Sequence, residues 1–183
     1  MKFTETPIPG CYIIDQDVHT DTRGAFVKMF QTSAFQQHNL EHGFTEQYYT
    51  ESHKGVIRGM HFQKPPADHA KLVTVIQGTI IDVILDIRKD SPMYGKYAAF
   101  ELSRDNGKSI YIPRGCAHGF CTMSDLAIAF YMVSSEYSPE NDCGIAYDSF
   151  GYDWPISKPN TSARDAMFPS LKNFLSPFRY HED

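Results

Sequence analysis

The chain has 183 residues and a formal net charge of −5; 42% of its residues are hydrophobic and 14% are aromatic. A chain of this length can bury the core of one domain, so we expect residues 1–183 to form a single domain. The acidic balance without a basic stripe argues against a nucleic-acid partner, and the lack of an apolar run of about 18 residues argues against a membrane span.

Short strands separated by turns dominate the predicted elements. In chain order, strands are predicted at 11–14, 25–30, 46–51, 56–63, 71–76, 79–87, 97–102, 109–112, 118–123 and 127–134. The one predicted amphipathic helix covers 32–40, with Thr32 or Ser33 as its cap, and short helical turns are expected from Ala163 onward. Strands at roughly 8–12-residue spacing with glycine turns are typical of an antiparallel sandwich or barrel. We therefore predict an all-β, cupin-like jelly-roll barrel with a few short helices.

The segment 55–63, GVIRGMHFQ, places Arg58 and His61 three residues apart among apolar neighbours. On a regular strand these two side chains would point to opposite faces. They can serve one site only if the backbone bulges between them, and Gly59 allows such a bulge at little cost. A titratable ring beside a fixed cation indicates an acid–base site. The alternative is a buried structural histidine beside a surface arginine.

Four further residues are candidates for chemistry, and each has a plain structural alternative. His118, in IPRGCAHGF, enters a strand from a turn and could be a buried structural histidine. Lys71 opens an apolar strand, where it could stabilise an oxyanion or only mark a solvated strand end. Tyr131, in AIAFYMVSS, could donate a proton into a cavity or pack in the core. Asp165, in TSARDAMFPSL, could orient the His61 imidazole or lie exposed in the tail.

No catalytic metal or other cofactor is expected. Metal-binding cupins cluster their ligands, with a His-x-His pair and a nearby Glu, whereas GMHFQ offers a single histidine. The four cysteines form no CxxC pair and fit neither a zinc site nor a disulfide framework. The segment after Met1, KFTETPIPG, lacks the apolar core of a signal peptide. We therefore expect reduced cysteines and a cytoplasmic location.

Several segments in one order carry a resemblance to a known family. They are DTRGAF, GVIRGMHFQ, KLVTVIQGTIIDVILDIRKDSPMYGK, IPRGCAHGF, the strand with Tyr131, YSPEND and GYDWP. Together they resemble the nucleotide-sugar 3,5-epimerases typified by dTDP-4-dehydrorhamnose 3,5-epimerase. The resemblance implies a 4-keto-6-deoxy sugar on a nucleoside diphosphate as substrate, most simply dTDP-4-dehydro-6-deoxyglucose. The C4 ketone acidifies C3 and C5, a base removes a proton, and an acid returns one to the opposite face, with no redox cofactor or metal.

The resemblance also implies roles for individual residues. His61 would be the base, with Asp165 as its partner, and Lys71 would stabilise the enolate oxygen. Tyr131 would be the acid, since a phenol with a pKa of about 10 is protonated at neutral pH. Arg23 would reach the nucleotide across the interface of a homodimer with an exchanged N-terminal strand. The implied substrate-binding set is Arg23, Phe26, Lys28, Glu46, Tyr48, Arg58, His118, Tyr137 and Asp142.

Departures from the family pattern fall outside the implied catalytic residues. Glu46 and Tyr48 stand where the family often has Gln and Asn, and Lys28 and Asp142 each replace a common glutamate. This pattern suggests retained chemistry with an altered substrate. The open alternatives are therefore epimerisation at C3 or C5 alone, a CDP- or GDP-linked sugar, a ketoisomerase, a non-catalytic sugar-nucleotide-binding barrel, and a metal-dependent cupin oxygenase.

Overall fold

A computed structural model describes residues 1–180, so the last three residues of the predicted single domain lie outside the described part. The described residues form thirteen strands, one short α-helix and two 3₁₀ turns. The strands are β1 (Lys2–Glu5), β2 (Tyr12–Asp15), β3 (Asp17–Asp21), β4 (Gly24–Lys28), β5 (Glu46–His53), β6 (Ile57–Gln63), β7 (Lys71–Gln77), β8 (Thr79–Asp86), β9 (Tyr97–Ser103), β10 (Lys108–Ile112), β11 (Cys116–Thr122), β12 (Leu126–Val133) and β13 (Asp142–Gly144). The helix α1 covers Thr32–Gln37, and the 3₁₀ turns cover Asp165–Met167 and Leu171–Asn173.

Two antiparallel sheets make up the body of the fold. One has the strand order β1-β2-β10-β7-β12-β5, and the other has the order β13-β6-β11-β8-β9. Side chains from both sheets meet in one apolar core, for example Val73 and Ile110 from the first sheet and Ile84 and Phe120 from the second. The predicted all-β jelly-roll barrel is confirmed. The strands β3 and β4 form a separate two-stranded hairpin.

The outer faces of both sheets are covered by the rest of the chain. On the five-stranded sheet, Val83 and Leu85 of β8 pack with Phe150, Phe178 and other residues of the C-terminal segment. Strand β8 is therefore buried on both faces, which explains its nearly continuous apolar sequence. This packing holds the C-terminal segment against the sheet that carries β6.

Helix α1 covers the outer face of the six-stranded sheet, where Phe35 is fully buried. The helix begins at Thr32, as predicted, but its predicted cap and its predicted end at Leu40 were wrong. Its N-cap is Gln31, which makes no side-chain cap hydrogen bond, rather than Thr32 or Ser33. It ends at Gln37 because Asn39 adopts a left-handed conformation with φ 53°, and the Leu40 N–H returns to the Phe35 carbonyl at 3.0 Å.

The sequence pattern did not predict β1, β3 and β13.

No helix within residues 1–180 is long and apolar enough to cross a membrane. The four cysteines are unpaired.

Candidate active site

A β-bulge in β6 brings Arg58 and His61 to one side of the sheet. Opposite β11, His61 pairs with His118 and Arg58 pairs with Phe120, so Gly59 and Met60 together face Gly119. The bulge expected from the sequence is confirmed. A Cβ on Gly59 would lie 2.5 Å from the Gly119 Cα, and Gly59 has φ +139°, so this position requires glycine.

His61 and Asp165 form a hydrogen-bonded dyad. The His61 Nε2 lies 2.9 Å from the Asp165 Oδ1, and the Gly59 N–H donates to the other carboxylate oxygen at 3.1 Å. Asp165 lies in the first 3₁₀ turn of the C-terminal segment and is buried. The carboxylate therefore holds the bulge and the imidazole together.

The electrostatics of the dyad favour a neutral imidazole beside an ionised carboxylate. Burial lowers the pKa of His61 below its ordinary 6.5, and the hydrogen bond that His61 donates to Asp165 opposes this only in part. Burial raises the pKa of Asp165, but the hydrogen bonds from His61 and Gly59 outweigh it, and the net pKa is lowered. With Nε2–H donating to the carboxylate, the lone pair of His61 lies on Nδ1. That atom can accept a proton.

Lys71 supplies a cation beside this base. Its side chain is buried, and its Nζ donates to the His61 carbonyl oxygen at 3.2 Å. Burial lowers the pKa of Lys71 to about 8, while the charges of Asp142 and Asp82 oppose the shift. The ammonium is still mostly protonated at neutral pH.

Tyr131 lies on β12 with its ring buried next to two other rings. The Tyr48 ring stacks on it with centroids 4.7 Å apart, and the edge of His118 approaches at 6.0 Å. Burial raises the pKa of Tyr131 well above its ordinary value, and the nearby Tyr48 and Asp82 add to the shift. The phenol is therefore protonated and can donate.

These groups line two neighbouring spaces. An inner chamber of about 130 Å³ is lined by Tyr48, Thr50, Arg58, His61, Lys71, His118, Phe120 and Tyr131. An outer cavity of about 300 Å³ shares Tyr48, His61 and Lys71 with it. His61 and Tyr131 thus face the same chamber, with the Lys71 side chain on its wall.

The substrate-binding residues expected from the sequence divide into two groups. Glu46, Tyr48, Tyr137 and Asp142 line the outer cavity, and Arg58 and His118 line the inner chamber. The Arg58 guanidinium is anchored by the Ser52 hydroxyl at 2.9 Å and the Glu51 carbonyl at 3.0 Å.

The second group lies elsewhere in the chain. Arg23 and Phe26 border a different cleft at the β3–β4 hairpin, and Lys28 ends β4. Arg23 is exposed and pairs with Asp21 at 2.6 Å, and 64% of Phe26 is exposed. A single chain therefore does not bring these three residues to His61.

Two charged residues of the site, Asp82 and Arg164, are among those missed from the sequence. Asp82 is fully buried on β8, and its Oδ2 lies 2.7 Å from the His118 Nε2, so it fixes that ring. A lone carboxylate inside the apolar run IIDVILD was the available signal. Arg164 lines the outer cavity and pairs with Asp142 at 2.6 Å. Its position in an irregular segment gave no signal.

No three His, Cys, Asp or Glu side chains within residues 1–180 group in a way that could hold a metal ion. His61 and His118 are instead each paired with a single carboxylate.

Comparison with known proteins identifies the family of the chain. The sequence profile of the dTDP-4-dehydrorhamnose 3,5-epimerase family matches residues 5–173. The chain belongs to the dTDP-4-dehydrorhamnose 3,5-epimerase family. It is 41% identical over 157 residues to the enzyme of that name from Methanothermobacter thermautotrophicus, covering 85% of this chain and 84% of the relative.

Solved structures of the family have the same fold. A Legionella pneumophila dTDP-6-deoxy-D-glucose-3,5-epimerase in complex with dTDP-4-keto-L-rhamnose has a TM-score of 0.93 at 32% identity, covering 99% of each chain. A 3′-monoepimerase from Streptomyces bikiniensis in complex with dTDP-quinovose has a TM-score of 0.85 at 26% identity, covering 91% of this chain and 86% of the other. The chain is thus an epimerase, which is an isomerase, of the cupin-like type expected from its sequence.

Proposed function

We propose that this epimerase inverts C3, C5 or both in a nucleoside-diphosphate 4-keto-6-deoxy sugar during deoxysugar biosynthesis. The first substrate to test is dTDP-4-dehydro-6-deoxyglucose. The observation that carries the proposal is the shared chamber, in which a neutral imidazole, a buried ammonium and a protonated phenol face one another. Three such groups suit proton transfer next to a ketone.

The proposed reaction moves protons only, and the electrons of each broken C–H bond stay in the sugar. The His61 Nδ1 removes the proton from the carbon beside the C4 ketone, the C–H electrons form the enolate double bond, and the carbonyl oxygen gains the negative charge. Lys71 stabilises that oxyanion. The Tyr131 hydroxyl then donates its proton to the opposite face, and the ketone reforms. The phenolate regains a proton from water, and the protonated His61 releases one to water. No net oxidation occurs, so the reaction itself calls for no redox cofactor.

We assign Asp165 the role of orienting His61, as the carboxylate of a triad does. Arg58 and Arg164 are the cations that we assign to the diphosphate, since both border the cleft beside His61. His118, held by Asp82, completes the wall behind the sugar.

We further propose a homodimer in which the β3–β4 hairpin enters the site of the partner. The exposed Arg23 and Phe26 would then contact the nucleotide, with Lys28 at the end of the same hairpin. Exchange of an identical element between two copies is a common route to a dimer. Because its four cysteines are unpaired, we place the enzyme in a reducing compartment, the cytoplasm.

One observation bears on the nucleobase of a second candidate, a mono-epimerase for a CDP- or GDP-linked sugar. Near Tyr137, the Glu46 carboxylate accepts the Tyr137 N–H at 2.7 Å, and Asp142 accepts its hydroxyl at 3.2 Å. Carboxylates suit the exocyclic amino group of cytosine, whereas thymine presents a carbonyl at that position. A thermal-shift screen of dTDP, UDP, CDP and GDP separates the candidates, because the nucleotide that binds the folded state best raises the melting temperature most.

The proposed function is tested by incubating the enzyme with dTDP-4-dehydro-6-deoxyglucose in D₂O and following the sugar by NMR. We expect deuterium at C3, C5 or both, together with an epimerised product. If neither carbon of this substrate or of its CDP- and GDP-linked counterparts gains deuterium, the proposal is wrong.

A further inference from the structure

Tyr48 is placed to control the position of the phenol that donates the proton. It lies on β5 directly opposite Tyr131 on β12 in the antiparallel register. The two rings are nearly parallel, with an interplanar angle of 15° and centroids 4.7 Å apart. This is a stacked cross-strand pair, the arrangement through which neighbouring strands fix aromatic side chains.

The other neighbour of the Tyr131 ring is also fixed. His118 meets it edge-on with centroids 6.0 Å apart, and His118 is itself held by Asp82 at 2.7 Å. Tyr131 is only 4% exposed, and the inner chamber beside it is small. The stacked Tyr48 ring and the fixed His118 ring leave the phenol little room to move.

The two carbons that can exchange a proton lie on opposite sides of the C4 ketone. Because Lys71 and the dyad hold the ketone and the base in place, a phenol fixed in one position cannot be equally close to both carbons. A misplacement of about 1 Å can lower the rate of such a step by about 10²-fold. A fixed Tyr131 should therefore favour one carbon strongly over the other.

We infer that Tyr48 is a positioning residue that holds Tyr131 in one place and thereby restricts reprotonation to one of the two carbons that flank the ketone. This inference rests on the proposed function and narrows it. Without the stacked ring, Tyr131 can tilt into the space that Tyr48 vacates, toward the outer cavity, and reach the second carbon. The total activity can fall while the preference between carbons is lost.

The experiment compares the rates of inversion at C3 and C5, read from the configuration of the product by NMR, in the wild type, Tyr48→Leu, Tyr48→Asn and Tyr48→Phe. In the wild type we expect one carbon to be inverted at least about tenfold faster than the other. Tyr48→Leu and Tyr48→Asn remove the ring, and each should reduce this ratio to within about threefold. Tyr48→Phe keeps the stacked ring and should keep the wild-type ratio. Tyr49→Ala, at the neighbouring exposed position of β5, controls for general effects on the strand.

The ratio of the two inversion rates separates positioning from a merely structural role, since damage to folding lowers both inversion rates together. Equal inversion rates at both carbons in the wild type would overturn the inference while leaving the proposed function intact. An unchanged ratio in a folded Tyr48→Leu or Tyr48→Asn variant would also overturn it. Absence of exchange at both carbons in the wild type would instead contradict the proposed function.

Discussion

The His61 imidazole and the Asp165 carboxylate lie 104 positions apart in the sequence, yet they meet at 2.9 Å. The contact depends on the C-terminal segment, which packs on the outer face of the five-stranded sheet and places Asp165 over the bulge in β6. The base of the proposed reaction is therefore assembled by tertiary packing.

Replacement of Asp165 by Asn should impair catalysis through His61. The amide leaves a polar group at the same place but removes the charge that holds the imidazole tautomer and stabilises its protonated form. We expect kcat to fall by about 10²–10⁴-fold. Because the anion raises the pKa of His61, its loss should also move the acid limb of the pH profile to lower pH. The control variant Asp153→Asn, at an exposed position, should leave kcat and the acid limb of the pH profile unchanged.

The pH profile of kcat/KM should be bell-shaped. The pKa of His61 is lowered below 6.5, so activity is lost as the pH falls through that value and the base becomes protonated. The pKa of Lys71 is lowered to about 8, so activity is lost again as the pH rises through about 8 and the cation disappears. Lys71→Arg should remove the basic limb, since arginine stays protonated. A basic limb that persists unchanged in this variant would argue against Lys71 as its source.

The bulge should depend on Gly59 for steric reasons as well as for its φ. A Cβ there would lie 2.5 Å from the Gly119 Cα, whereas a Cβ on Gly24, with φ +122°, meets nothing within 4 Å. We expect Gly59→Ala to lower the free energy of unfolding by about 3 kcal/mol or more, and Gly24→Ala by about 1 kcal/mol. Urea unfolding measures the change in the free energy of unfolding for each variant. Equal effects would mean that only the backbone conformation matters.

The proposed two-chain site can be tested by complementation. Arg23→Ala and His61→Asn should each be inactive or strongly impaired alone. If each site takes Arg23 from one chain and His61 from its partner, co-expression under random pairing should restore about a quarter of the sites. Hybrids purified by two tags should carry one intact site each. Activity that remains at the average of the two parents would show that both residues act within one chain.

Much of the fold could be predicted because its strands carry strong local signals. Strands β6, β7, β8 and β12 follow from apolar runs bounded by glycine and proline turns, and Gly59 correctly indicated the bulge. Strands β1 and β3 could not be predicted because they are short and largely exposed, so they lack an apolar pattern.

The candidate site was harder to predict from the sequence where irregular backbone, or pairing between distant strands, determines which residues meet. Arg164 reaches the cavity only because the C-terminal segment folds back, and periodicity says nothing about such a segment. Asp82 contacts His118 only because β8 and β11 pair in the folded sheet. The stacking of Tyr48 on Tyr131 likewise follows from the β5–β12 register, which no local pattern determines.

The central claim is that His61 removes a proton on one face of the sugar and Tyr131 returns one on the other. Deuterium exchange and product stereochemistry, measured together in D₂O for His61→Asn and Tyr131→Phe, test it most directly. We predict that His61→Asn loses both exchange and inversion, whereas Tyr131→Phe still exchanges the substrate proton through His61 but forms little inverted product. Inversion at the wild-type rate in either variant would contradict the account.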